Sequence, residues 1–127
     1  MNGTKILFDT CAVIKLINKQ YDLLSLGINV DEAQLLTSVI VRMELLSKRN
    51  MPDDEERDIR EFLDDLIIAP LDEAVEQTAI ALRRSTTLKL PDSIVAATSI
   101  VSDSILLTDD SHLLTLSWPG LRTQNIF

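Results

Sequence analysis

The chain has 127 residues, 46% of them hydrophobic, which is enough for one domain with its own core and too few for two comfortable ones. Its net charge of -8 argues against a general nucleic-acid binder. A lone cysteine excludes an internal disulfide framework and makes a reducing cytoplasm the expected setting. No apolar run reaches the roughly 18 residues of a membrane span, and the opening "MNGTKILFDT" carries no apolar stretch of the secretory kind.

In chain order, "KILFD" (5–9) reads as a short buried strand that closes on an acid. "TCAVIKLINK" (10–19) follows as a helix, with Ala12 and Leu16, Val13 and Ile17 recurring at four-residue spacing. "QLLTS" (34–38) is a second strand, and Thr37 or Ser38 can cap the helix "VIVRMELLSKRN" (39–50). The apolar face of that helix uses Val41, Met43, Leu45 and Leu46. Pro52 breaks the pattern, and an acidic amphipathic helix occupies 53–66, with the stripe Ile59, Phe62, Leu63 and Leu66. Residues 53–65 hold eight acids against two bases and so carry -6 of the total charge; the rest of the chain is only -2, which leaves room for a local basic rim.

"LIIAPL" (66–71) gives a third strand. Asp72 can cap a helix over 72–85 that ends on Arg83 and Arg84. Pro91 suits a first helical position, and helix 92–101 is small and apolar enough to be buried on a sheet. "SILLT" (104–108) is a strand, and "LRTQNIF" (121–127) a weak terminal one. Alternating strands and helices predict an α/β fold with a mainly parallel sheet, whose ligand crevice lies outside the carboxyl ends of the strands.

The acids fall on that edge. Asp9 ends the first strand, Asp92 lies in a first helical turn, and Asp110 follows strand 104–108. Glu44 lies mid-helix among Met43, Leu45 and Leu46, with no clear solvent face. Carboxylates brought together raise one another's pKa and call for a hard divalent cation such as Mg²⁺ or Mn²⁺. One histidine and one cysteine leave no zinc set. The chemistry that remains is metal-assisted phosphodiester hydrolysis. Taken singly, Asp9 and Asp92 can also be simple caps, Glu44 a solvated helix acid, and Asp110 part of a turn.

Four stretches together resemble the PIN-domain family, and within it the VapC-like toxin ribonucleases of toxin–antitoxin operons. They are "ILFDTCAVI", "LLTSVIVRMELL", "LKLPDSIVAAT" and "ILLTDDSHLL", in that order and with fitting intervals. The resemblance implies a three-layer fold with a central, mainly parallel sheet flanked by helices. It implies Asp9, Glu44, Asp92 and Asp110 as the catalytic and metal-binding carboxylates, and Thr108 as the accompanying hydroxyl. The implied activity is Mg²⁺- or Mn²⁺-dependent cleavage of RNA by a homodimer, blocked by an antitoxin whose peptide arm enters near the acids. In two places the chain departs from the family pattern. Asp109 stands where a base is common, and Leu113 and Leu114 stand where an Asp–Phe pair is common.

Around these acids, Thr10, Thr108 and Asp109 are candidates for orienting the ligands. Asp109 is also an alternative ligand to Asp110. Arg84 and Lys89 lead the candidates for RNA phosphate contact, ahead of Arg42, Lys48 and Arg83. His112 reads as a surface or turn residue, Cys11 as a small buried hydrophobe, and Trp118 as packing. The alternative to a nuclease is a binding or scaffold protein that keeps the fold without useful catalysis; the overall charge and Asp109 favour it.

Overall fold

The computed structural model describes residues 4–127. Five short strands form one sheet: β1 (Thr4–Phe8), β2 (Ala33–Ser38), β3 (Ile67–Ala69), β4 (Ile105–Thr108) and β5 (Arg122–Asn125). Their order is β3-β2-β1-β4-β5, and each neighbouring pair is parallel. The chain builds outward from β1 in one direction as far as β3. It then crosses back to lay β4 against the other side of β1. The switch point therefore lies between β1 and β4, where an open parallel sheet leaves a crevice beyond its carboxyl edge.

Helices fill the crossovers: α1 (Thr10–Ile17), α2 (Val39–Leu46), α3 (Asp53–Asp64), α4 (Glu73–Ser85), α5 (Leu90–Ser102) and α6 (Ser111–Leu114). The result is the expected α/β architecture, a central parallel sheet flanked by helices. The middle strand is the most buried: Ile6, Leu7 and Phe8 are all inaccessible, because both of its faces and both of its edges are covered. Phe8 meets Phe62 of α3 edge to face, with ring centroids 5.6 Å apart. The α3 stripe thus joins the core, with Ile59 and Leu63 buried and the acids outside.

Small side chains let α5 lie deep. Ser93 to Ser99 are all buried, and the helix packs on α4, β2 and β4. Its hydroxyls do not go unpaired: Ser93 donates to the Lys89 carbonyl at 3.0 Å, Thr98 to Ile94 at 2.7 Å and Ser99 to Ser104 at 2.9 Å. Each bond returns to a backbone carbonyl, so polar groups enter the interior without a desolvation penalty left open.

Several expected boundaries move. The first helix stops at Ile17, with Asn18 as its cap and Lys19 at φ 59°. The second ends at Leu46, short of the expected residue 50, where Asn50 is left-handed at φ 55°. Its Met43 is 57% exposed, so that helix buries a narrower face, Val41 and Leu45. The acidic helix ends at Asp64, and the strand after it shrinks to three residues. Helix α5 begins two residues early at Leu90, because Pro91 occupies its first turn, and its Val101 is 41% exposed. Helix α6 was not expected at all. Trp118 packs against the core as expected.

Phe8→Ala removes a fully buried ring from the central strand and is expected to destabilise the fold by about 3–5 kcal/mol. Urea unfolding followed by circular dichroism measures it; a loss under about 1 kcal/mol would contradict this description of the core.

Candidate active site

The site is built from the end of β1. The Asp9 amide still donates to the Leu107 carbonyl at 3.1 Å, so the β1–β4 ladder runs one residue past the strand. Asp9 then caps α1: its extended backbone turns the carboxylate back, and Oδ1 accepts from the Thr10 amide at 2.8 Å. Its other oxygen accepts from the Thr108 hydroxyl at 2.8 Å, with Cys11 Sγ at 3.8 Å. Asp9 is only 7% exposed. Burial pushes its pKa up and the charge of Asp110 adds to that, while the bonds from Thr108 and Thr10 pull it back.

Thr108 serves two acids. Having donated to Asp9, its oxygen accepts from the Asp110 amide at 3.0 Å. Asp110 caps α6, with Oδ1 accepting from the His112 amide at 2.9 Å and lying 3.2 Å from the exposed His112 ring. Asp92 is half-buried in the first turn of α5. Its pKa is raised first by burial and then by the charges of Asp110, Asp9 and Glu44, against a lowering from Lys89. Glu44 is exposed on α2, and Oε1 accepts from the Thr10 hydroxyl at 3.2 Å. The fold thus gathers Asp9, Asp92, Asp110 and Glu44, the four acids singled out from the sequence, into one electrostatic neighbourhood. Thr10 and Thr108 stand between them.

Asp109 turns onto α1. Its carboxylate is ion-paired with Lys15 of α1, which holds its pKa below the ordinary carboxylate value. Cys11 is half-buried rather than fully buried, and its Sγ lies 3.7 Å from Thr108 Oγ1; burial above all pushes the thiol up to about 11. Lys89, exposed, precedes α5 and its charge is felt by Asp92. Arg84 lines a groove of about 450 Å³ with Leu71, Ile80, Leu90 and Ile94. Arg83 donates to the Leu88 carbonyl at 2.7 Å, and Lys48 pairs with Glu55. Sequence reasoning missed Lys15. Its partner lies 94 residues away, so no local pattern marks it.

Among the described residues, no three His, Cys, Asp or Glu side chains stand close enough together to hold a metal as they are. Three of the four acids are turned to donors: Asp9 to Thr10 and Thr108, Glu44 to Thr10, and Asp110 to the His112 amide. By donor chemistry the set still fits a hard divalent ion. It offers carboxylates and hydroxyls, with neither a thiolate nor an imidazole cluster beside them.

A parallel α/β sheet with a buried carboxylate at its switch point and further acids around it defines a protein with an acidic cluster at the carboxyl edge of its sheet. Residues 6–118 match the PIN domain, and the chain belongs to that family. Solved structures agree on the fold. The VapBC2 structure from Rickettsia felis bound to a promoter DNA fragment superposes with a TM-score of 0.80 at 20% identity, covering 96% of this chain and 98% of that one. VapBC from Salmonella typhimurium bound to DNA gives 0.76 at 19% identity, covering 98% and 99%. A toxin–antitoxin complex from Klebsiella pneumoniae gives 0.70 at 26% identity, covering 91% and 94%. No curated protein matches the chain in sequence.

The raised pKa values of Asp9 and Asp92 have a consequence for stability. A carboxyl that holds its proton more tightly folded than unfolded favours folding at low pH, and that contribution is lost as pH rises through the raised value. At neutral pH the charged Asp92 therefore opposes folding of the metal-free protein. Asp92→Asn is expected to raise the melting temperature in EDTA at neutral pH and to lose this advantage at acid pH. Thermal melts at both pH values check it; a variant that melts lower at neutral pH contradicts it.

Proposed function

We propose that this chain is a divalent-metal-dependent endoribonuclease, the toxin of a toxin–antitoxin pair, built as a single domain over residues 1–127. The observation that carries the reading is the buried Asp9 carboxylate at the sheet's switch point. It is gripped by Thr10 and Thr108, and Asp92, Asp110 and Glu44 surround it. A fold gains nothing by crowding acids there unless a cation is meant to join them.

Asp9, Glu44, Asp92 and Asp110 would hold Mg²⁺ or Mn²⁺, which when bound supplies Lewis-acid stabilisation of the phosphoryl group under attack. Asp9 is the fixed point, because both of its oxygens are already oriented by donors. Thr10 steadies Glu44 and Thr108 steadies Asp9 and Asp110, so each hydroxyl couples two elements of the crevice. The half-buried Asp92 and Asp110 are open enough to orient a water and take its proton. Lys89, whose charge reaches Asp92, is the better placed of the two candidate phosphate contacts, and Arg84 is the other.

Membership in the PIN-domain family supports the nuclease class. The likeness to VapBC chains and to the Klebsiella toxin–antitoxin complex supports an antitoxin as protein partner. The working unit in this reading is a homodimer. No helix of the described residues is long and apolar enough to cross a membrane, and a cytoplasmic setting fits an RNA substrate.

Purified chain incubated with a mixed tRNA and single-stranded RNA pool is expected to cut with Mg²⁺ or Mn²⁺ and not in EDTA. Asp9→Asn is expected to lower the rate by about 10²-fold or more while keeping the circular dichroism of the wild type. A folded, metal-supplied wild type that leaves the pool intact, yet binds a partner protein, would support the scaffold reading instead.

A further inference from the structure

Two acids stand side by side in "TDDSH", and their side chains part. Asp110 turns to the crevice side: its amide donates to Thr108 Oγ1, the hydroxyl that also holds Asp9, and its carboxylate caps α6. Asp109 turns onto α1, where it meets Lys15. The Lys15 ammonium lies 4.8 Å from the centroid of the Phe127 ring, so it is held between a carboxylate and an aromatic face. The side chains of Lys15 and Asp109 are 30% and 23% exposed. The ion pairs of α3 and its neighbourhood are far more open, at 58% and 39% for Lys48 and Glu55 and 58% and 45% for Arg60 and Glu56. The Lys15–Asp109 pair is thus the most sheltered ion pair among the described residues, and it lies one residue from Asp110.

We propose that Lys15 is a positioning residue for the acidic site: by pairing with Asp109, one residue from Asp110, it cancels a negative charge beside that site and so sets the balance between attraction of a divalent cation and repulsion of an RNA phosphate chain. The inference rests on the nuclease reading of the crevice. Its logic is one of sign. With both partners present the pair is neutral. Without Lys15 this flank of the site gains a negative charge; without Asp109 it gains a positive one; without both it is neutral again. Cation and RNA binding must then move in opposite directions in each single variant. A merely structural clamp would weaken both together, whichever partner was removed.

The test uses the full chain as wild type, Lys15→Met, Asp109→Asn and the double variant. Mn²⁺ affinity is read by electron paramagnetic resonance, and binding of a fluorescein-labelled single-stranded RNA by anisotropy in EDTA. Lys15→Met is expected to bind Mn²⁺ about two- to five-fold tighter and RNA about two- to five-fold weaker, the size a partly exposed pair supports. Asp109→Asn is expected to do the reverse, and the double variant to return to wild type on both readouts. Asp109→Asn keeps the sign test available if Lys15→Met folds poorly. Parallel losses in both single variants, or no change in either, would overturn the inference while leaving the nuclease reading intact. A wild type that binds neither Mn²⁺ nor RNA would overturn that reading and the inference with it.

Discussion

A carboxylate can be kept out of water only where donors meet it, and the hydrogen bond from Thr108 to Asp9 is the contact on which this molecule is organised. It joins the ends of β1 and β4 through residues 99 positions apart in the chain, at the point where the strand order reverses. The same carboxylate starts α1 through the Thr10 amide, and the same hydroxyl fixes the Asp110 amide. One acid thereby sets where two strands end and where two helices begin. The inaccessible Ile6, Leu7 and Phe8 behind it supply the apolar burial that offsets the desolvation of Asp9.

What this arrangement costs points to what it is for. Asp9 and Asp92 both hold their protons more tightly than an ordinary carboxylate, first because of burial and then because other acids face them. The surface acids of α3 stand in solvent, where such repulsion is screened, and two of its bases pair with them at the helix surface. The difference between the two groups is one of setting. On α3 the acids keep a helix face wet, whereas at the sheet edge they lie close enough to feel one another's charge.

Much of this was legible in the sequence because it depends on local pattern. Strands β1, β2 and β4 are short apolar runs, and the helices between them carry their own periodicity and caps. Asp9, Asp92 and Asp110 were found because each sits where one element hands over to the next. Glu44 was singled out for want of a clear solvent face in the pattern, and that reason fails: α2 buries only Val41 and Leu45 and leaves Glu44 exposed. Strand order was not legible, since it depends on which edge each crossover chooses. Nor were the contacts that make the site: Thr10 reaches Glu44 across 34 residues, and Lys15 reaches Asp109 across 94. Asp109 looked like surplus charge beside the other acids. Only the packing of α1 beside β4 supplies the cation that answers it. Helix α6, at four residues, is too short to carry a period, and its start depends on the Asp110 cap.

Whether the acids around Asp9 receive a hard divalent cation is read most directly by anomalous diffraction from crystals of the full chain soaked in MnCl₂. A manganese peak bonded to Asp9 and to at least one of Asp92 and Asp110 is expected, with Glu44 or Asp110 turned from its present donor toward the ion. Ordered carboxylates with no peak between them, and manganese only on the acids of α3, would contradict a cation site there.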